Sequence, residues 1–289
     1  MPLSRADIQR IIPHREPFVL VDEITEVVFG SYAVGVVKDV GDYDIFAQLR
    51  LRKHKADELI LVDSIEVDSS DRCASGTIQN VGDLAQLFEG HFPGQPILPG
   101  ALTLEALAEV AHRHLLETEP FGSGAFLKRI DGWRFRQVIV PGNAVDLRAE
   151  EQDVGVMMVK AIVNGKTAAE GKLTFVPGSR TAFPLPGQAT LPGALLVEAM
   201  AEVGAVAVLG MEENIGKIAF LASADDWQFY LPVVAGRELR LKASLRELRR
   251  SFGKGHFVAL SDEGLVAEGN LVFGLGARSA MEETTLVCT

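Results

Sequence analysis

The chain has 289 residues, 47% of them hydrophobic and 23% charged, with 28 Lys and Arg against 39 Asp and Glu for a net charge of −11. This composition excludes a disordered chain, a collagen and a coiled coil, and the negative charge argues against nonspecific binding to nucleic acid or an anionic membrane as the main task. At about 150 residues per domain, the length suggests two domains. The two cysteines, Cys73 and Cys288, form no ligand cluster and no disulfide framework, which fits a reducing compartment. The opening stretch MPLSRADIQRIIPHREPF lacks the apolar core of a signal peptide. The longest apolar stretch, Leu191 to Leu209, contains Glu198 and Glu202 and is too polar and too short for a membrane span. A soluble cytoplasmic protein is the expectation.

Taken in chain order, two strands come first, Phe18 to Val27 and Ser31 to Lys38, turning at Gly30. Phe18-Val-Leu-Val-Asp22 then recurs 41 residues on as Leu59-Ile-Leu-Val-Asp63. Ile24, Gly35 and Val40-Gly-Asp42 recur at the same offset as Ile65, Gly76 and Val81-Gly-Asp83. A Pro/Gly-rich loop, Gly90-His-Phe-Pro-Gly-Gln-Pro-Ile-Leu-Pro-Gly100, leads into a helix over about Gly100 to Glu117. Strands follow at Val145 to Gln152, Val156 to Asn164 and Thr167 to Val176, with turns at Gly155 and Asn164-Gly165. A second helix spans Gly193 to Leu209. Both helices are apolar around nearly their whole circumference, the pattern of a buried helix. One buried helix against antiparallel strands is an α+β unit. Residues 277–289, with Glu282-Glu-Thr-Thr, read as a frayed tail or linker.

A second repeat has a different offset. Ile97-Leu-Pro-Gly-Ala-Leu-Thr-Leu-Glu105-Ala-Leu-Ala-Glu109 recurs 93 residues on as Thr190-Leu-Pro-Gly-Ala-Leu-Leu-Val-Glu198-Ala-Met-Ala-Glu202. Trp133 maps on Trp227 and Gly142 on Gly236 at 94, and Ala169-Glu-Gly-Lys-Leu-Thr-Phe175 on Ala267-Glu-Gly-Asn-Leu-Val-Phe273 at 98. A plain tandem duplication gives one slowly drifting offset. Two groups of offset imply nesting: a continuous unit B over 51–179, inserted into a split unit A of 1–50 plus 180–276. Insertion is tolerated where the inserted ends lie close together. A swapped pairing of the front strands satisfies the same offsets.

Glu105 and Glu198 sit mid-helix among Leu, Ala, Val and Met, where a lone carboxylate is costly unless paired or protonated. Glu109 and Glu202, one turn on, read as reaching solvent at a helix end. His91 opens the Pro/Gly-rich loop, and the helix N-terminus at Gly100 offers N–H groups and a positive dipole end. A histidine, a buried carboxylate and a helix N-terminus are the parts for proton transfer next to a carbonyl. His14 reads as shaping a loop. His112 and His114, in the last turns of the first helix, read as solvated or dipole-facing. His54 and His256 have no partner in sequence, and Trp133 and Trp227 read as core. No phosphate-binding loop and no serine nucleophile elbow occur. Lys128, Arg129, Arg134 and Arg136, and Arg246, Arg249, Arg250 and Lys254, form two basic groups that serve either as docking patches or as solvated faces.

His91-Phe-Pro-Gly-x-Pro-x-x-Pro-Gly100 followed by Glu105-Ala, with Ile12-Pro-His-Arg-Glu-Pro-Phe-Val-Leu-Val-Asp22 ahead of it, resembles the β-hydroxyacyl-acyl carrier protein dehydratases of the FabZ/FabA type. The resemblance covers about 10–276, once as each unit, and implies a double hotdog in which each long helix is wrapped by an antiparallel sheet. In that family the histidine and the glutamate of one site come from different units. Carried over, His91 of unit B faces Glu198 of unit A, and the amide of Gly100 holds the thioester carbonyl. Phe92, Pro93 and Ile97 would line the substrate tunnel. The reciprocal site has Pro184 where the histidine belongs, so the site containing Glu105 is degenerate. The family often has Gln where Glu109 and Glu202 stand. The implied reaction is dehydration of a 3-hydroxyacyl thioester, carried by acyl carrier protein or coenzyme A, to a trans-2-enoyl thioester. It implies no metal and no organic cofactor beyond the phosphopantetheine arm of the substrate. The intrachain pseudo-dimer leaves further homo-oligomerisation open. Another hotdog thioester activity, hydratase or thioesterase, and a non-catalytic acyl-binding subunit are the alternatives.

Overall fold

The structure is a computed structural model and describes residues 2–39, 61–122, 124–178, 190–191, 193–234 and 236–277. In chain order the strands are β1 (Leu3–Ser4), β2 (Glu23–Val28), β3 (Tyr32–Val37), β4 (Ser64–Asp68), β5 (Cys73–Ile78), β6 (Ala125–Phe135), β7 (Val145–Asp153), β8 (Val156–Val163), β9 (Lys166–Pro177), β10 (Thr190–Leu191), β11 (Lys217–Phe229), β12 (Val233–Val234), β13 (Leu239–Leu248), β14 (Phe252–Ser261) and β15 (Gly264–Ala277). The helices are α1 (Arg5–Ile11), α2 (Gly100–Leu116) and α3 (Gly193–Leu209). A 3₁₀ segment covers Val81–Leu87.

Among the described residues, thirteen strands form one antiparallel sheet in the order β1-β2-β3-β13-β14-β15-β11-β6-β9-β8-β7-β5-β4. The order answers the question of pairing. β3 lies on β13, with Gly35 opposite Leu241, and β5 lies on β7, with Gly76 opposite Leu147. The front strands therefore do not swap. The two halves meet at β6 and β11, where Trp133 stands opposite Ala224. α2 packs on β5, β7 and β8, α3 packs on β3, β11 and β13, and the two helices touch each other. Each long helix is thus wrapped by its own part of the sheet: an α+β double hotdog.

Recurring residues make recurring contacts. The backbone amide of Leu20 donates to the Glu202 carboxylate at 3.0 and 2.9 Å, and that of Leu61 donates to Glu109 at 3.3 and 3.1 Å. Asp22 accepts from the Lys38 amide at 2.8 Å and Asp63 from the Gln79 amide at 2.7 Å. A Cβ on Gly35 would lie 2.6 Å from Val203, and one on Gly76 2.7 Å from Val110. The Trp133 ring lies on Gly171 and the Trp227 ring on Gly269, and both indoles are fully buried.

These contacts correct several expectations. Glu202 is buried and Glu109 half-buried; they reach back to the front segments rather than to solvent. The strand expected from Phe18 begins at Glu23, because the Leu20 amide is spent on Glu202 rather than on a ladder partner. His114 is not solvated: it is fully buried, and its Nε2 lies 3.2 Å from Glu151 Oε2. His256 has partners in Asn270 and Glu268. α1 is an additional element ahead of the front strands, opened by a Ser4–Asp7 capping box. Pro184, His54, Cys288 and the tail beyond Ala277 lie outside the described residues. Among the described residues, no helix is long and apolar enough to cross a membrane.

Candidate active site

The Pro/Gly-rich loop is held by its own backbone. The His91 amide donates to Phe88 O at 2.8 Å, the Ile97 amide to His91 O at 2.9 Å and the Leu98 amide to Ile139 O at 2.8 Å. The Arg15 amide donates to Gly90 O at 3.0 Å, and a Cβ on Gly90 would stand 1.7 Å from Arg15 O. Only glycine permits this approach. It brings the Ile12-Pro-His-Arg segment against the loop and delivers His14 beside His91.

His91, His14 and Glu198 are all buried, at 7%, 5% and 4% exposure. His91 Nε2 lies 3.8 Å from Glu198 Oε1, and His14 Nε2 lies 3.7 Å from the same oxygen. His91 Nδ1 lies 3.1 Å from Ile97 O. A carbonyl only accepts, so Nδ1 carries the proton and Nε2 presents a lone pair. The peptide between His91 and Phe92 is cis, and the Phe92 ring stacks on the imidazole at 4.2 Å. Burial pushes the His91 pKa down to about 4 against the pull of Glu198, and burial pushes that of His14 down to about 3. Burial raises Glu198, and it raises Glu202 well above the carboxylate range with help from the Glu198 charge. Burial thus favours the uncharged form of each of these groups.

These groups open onto a cavity of about 240 Å³ between the two halves. One side is the α3 face of Glu198, Ala201, Gly204 and Ala205; the other is the loop, Gly100 and residues 135–139. Arg136 and Phe220 are its exposed members, and the inward ones include Phe257, whose ring rests on bare Gly204. Gly100 opens α2, where an N–H has no intrahelical partner. Phe92 and Ile97 line the cavity, whereas Pro93 is exposed and not part of its lining. Glu105 is half-buried on α2 and lies outside this cavity. The structure thus joins His91, Glu198 and Gly100, and adds His14, which sequence reasoning placed in a loop-shaping role. The signal was present in the quoted N-terminal motif; only contact with Gly90 shows where it points.

His14, His91 and Glu198 are also the described group with metal-ligand chemistry, their donor atoms all within 4.8 Å of one another. Zinc bonded at 2.0–2.1 Å in a tetrahedron draws ligand atoms to about 3.3 Å. The 3.7 and 3.8 Å separations from Glu198 are wider than that in the arrangement as it stands. The basic group expected near β6 is largely internally paired. Arg129 contacts Asp131 and Asp226, Arg136 contacts Glu170, and Lys128 lies 4.8 Å over the Tyr230 ring.

A buried histidine–glutamate cluster and a helix N-terminus around an apolar cavity place groups able to do acid–base chemistry inside a double hotdog. Residues 68–172 match the family model of the ApeI dehydratase, and residues 183–270 match the FabA-like domain. The chain is 34% identical over 177 residues to a 3-hydroxyacyl-[acyl-carrier-protein] dehydratase FabZ of Clostridium botulinum, covering 60% of this chain and 94% of that one. It is 32% identical over 183 residues to the FabZ of Enterococcus faecalis, covering 62% of this chain and all of the other. The chain belongs to the FabZ/FabA-like dehydratase family. In fold it is similar to the dehydratase domain of the CurJ module of curacin polyketide synthase (TM-score 0.53, 14% identity, 75% of this chain and 97% of that one). It is equally similar to the dehydratase domain of RzxB from Pseudomonas fluorescens (TM-score 0.53, 13% identity, 74% and 98%).

Proposed function

We propose that the chain dehydrates a 3-hydroxyacyl thioester to a trans-2-enoyl thioester in fatty-acid or polyketide-type synthesis, at one site per chain, with His91 as base and Glu198 as acid. The observation that carries this is the placement of His91 Nε2 at 3.8 Å from Glu198 Oε1, from the two halves of the sequence, over the cavity that Gly100 enters. The C2–H bond breaks and its proton passes to the His91 lone pair. The C3–O bond breaks, the hydroxyl takes the Glu198 proton and leaves as water, and the electron pair from C2 forms the C2=C3 bond. The Gly100 amide, at the positive end of α2, stabilises the enolate-like charge on the thioester oxygen. Afterwards His91 holds an extra proton and Glu198 lacks one, and their proximity lets the pair reset without bulk water.

The units behind this site are 51–179 and 1–50 plus 180–276, a division supported by the pairing of β3 with β13 and of β5 with β7. Pro184 at the position corresponding to His91 leaves the Glu105 side without a base. Acyl carrier protein, the carrier named in the relatives, and coenzyme A deliver the same phosphopantetheine arm, and both belong in the assay.

The test is turnover of 3-hydroxyacyl thioesters by wild type, His91→Ala, Glu198→Gln and Glu105→Gln, read by mass spectrometry. Loss of general acid–base catalysis costs about 10²–10⁴-fold, so the first two variants are expected to lose the enoyl product and the third to keep it. An inactive Glu105→Gln with an active Glu198→Gln overturns the assignment. Free thiol release by wild type replaces dehydration with thioester hydrolysis.

A further inference from the structure

The reaction above uses His91 and Glu198, and Glu202 holds the Leu20 amide. One buried titratable group of the cavity is left over, His14. Its carbonyl accepts from Arg15 Nη1 at 2.6 Å, and its ring stands edge-on to Phe92 at 4.9 Å and to His91 at 5.2 Å. Among the described residues its Nδ1 is buried without a hydrogen-bond partner. An orphaned acceptor is cheaper to bury than an orphaned N–H. The proton therefore belongs on Nε2, the atom 3.7 Å from Glu198 Oε1. His91 carries the opposite tautomer. One imidazole thus offers Glu198 a donor and the other an acceptor.

The donor has a use at one moment of the reaction. When Glu198 delivers its proton, a carboxylate appears in a nearly dry site, where each hydrogen bond to it is strong. We propose that His14 is a positioning residue for the dehydration: its Nε2–H holds Oε1 of Glu198 and stabilises the carboxylate formed on proton delivery. The proposal rests on the dehydratase reading of the site. At 3.7 Å the contact is too long for a hydrogen bond in the substrate-free state, and catalytic hydrogen bonds are often long before substrate binds.

Two variants separate this role from packing. His14→Phe keeps an aromatic ring beside Phe92 and His91 but has no N–H. His14→Gln loses the ring but places an amide N–H near the position of Nε2. Removing one donor to a developing oxyanion costs about 10²–10³-fold in kcat; acting through Glu198, His14→Phe is expected to lower kcat about 10- to 100-fold with KM within about threefold. His14→Gln is expected to recover most of that loss. Wild-type kcat in His14→Phe overturns the proposal, and so does a His14→Gln as slow as His14→Phe, since only packing would then matter. Wild type is the internal standard: if it makes no enoyl product, the dehydratase reading itself falls and carries this proposal with it.

Discussion

At the scale of residues, the site works by burial. An ordinary histidine titrates near 6.5, but desolvation holds His91 near 4, so its lone pair is available through the whole mildly acidic range. Glu198 is shifted the other way, by the same burial. In the proposed reaction the productive form has His91 neutral and Glu198 protonated, so it exists above the pKa of the one and below that of the other. The acid limb of kcat/KM is therefore expected near pH 4, with activity rising as pH increases through it. The alkaline limb falls as Glu198 ionises, above the ordinary carboxylate value of 4.5. A pH–rate profile of the free enzyme checks the order. An acid limb at about 6.5 contradicts a desolvated His91.

At the scale of elements, the loop before α2 depends on a contact with the N-terminal segment rather than on its own prolines alone. Gly90 stands where any Cβ meets the Arg15 carbonyl at 1.7 Å. Gly90→Ala must separate the two segments, an overpacking that costs about 1–3 kcal/mol and moves His91 and His14 together. A lower melting temperature and a kcat loss without a matching KM change are expected. Gly269→Ala tests packing away from the cluster: its Cβ would lie 2.3 Å from the Trp227 ring. It is expected to cost a similar amount of stability, about 1–3 kcal/mol, while kcat of the folded fraction stays near wild type. The carboxylates one turn beyond Glu105 and Glu198 work at this scale as well. Each ties its helix to the segment that leads into a front strand, which is why the apolar motif before Asp22 and Asp63 recurs.

At the scale of the molecule, two similar halves have become unlike. One interface side carries the His–Glu cluster and the cavity; in the proposed reading the other lacks a base, with Pro184 at the position corresponding to His91. The expected consequence is stoichiometry. Titration calorimetry with a non-reactive 3-hydroxyacyl amide analogue should give about one equivalent bound per chain, and Glu198→Gln should not change that number. Two equivalents would show that the Glu105 side still binds acyl groups.

Sequence by itself determined a good deal here. The two groups of offset suggested a nested order, the all-round apolar helices announced burial, and the loop-helix motif pointed to His91 and Gly100 and named the family. These features are legible because they are local or periodic: a helix face, a turn residue, a repeated spacing. Other features were decided only by tertiary structure. Glu202 and Glu109 read as solvated helix ends in sequence, whereas in the structure the amides of Leu20 and Leu61 donate to them across long stretches of chain. His114 looked exposed until β7 brought Glu151 over it. His14 became part of the site only through the approach of Arg15 to Gly90. The physical reason is common to all three. A polar side chain is defined by its partner and its access to water, and both are set by segments that meet only when the sheet closes around the helices.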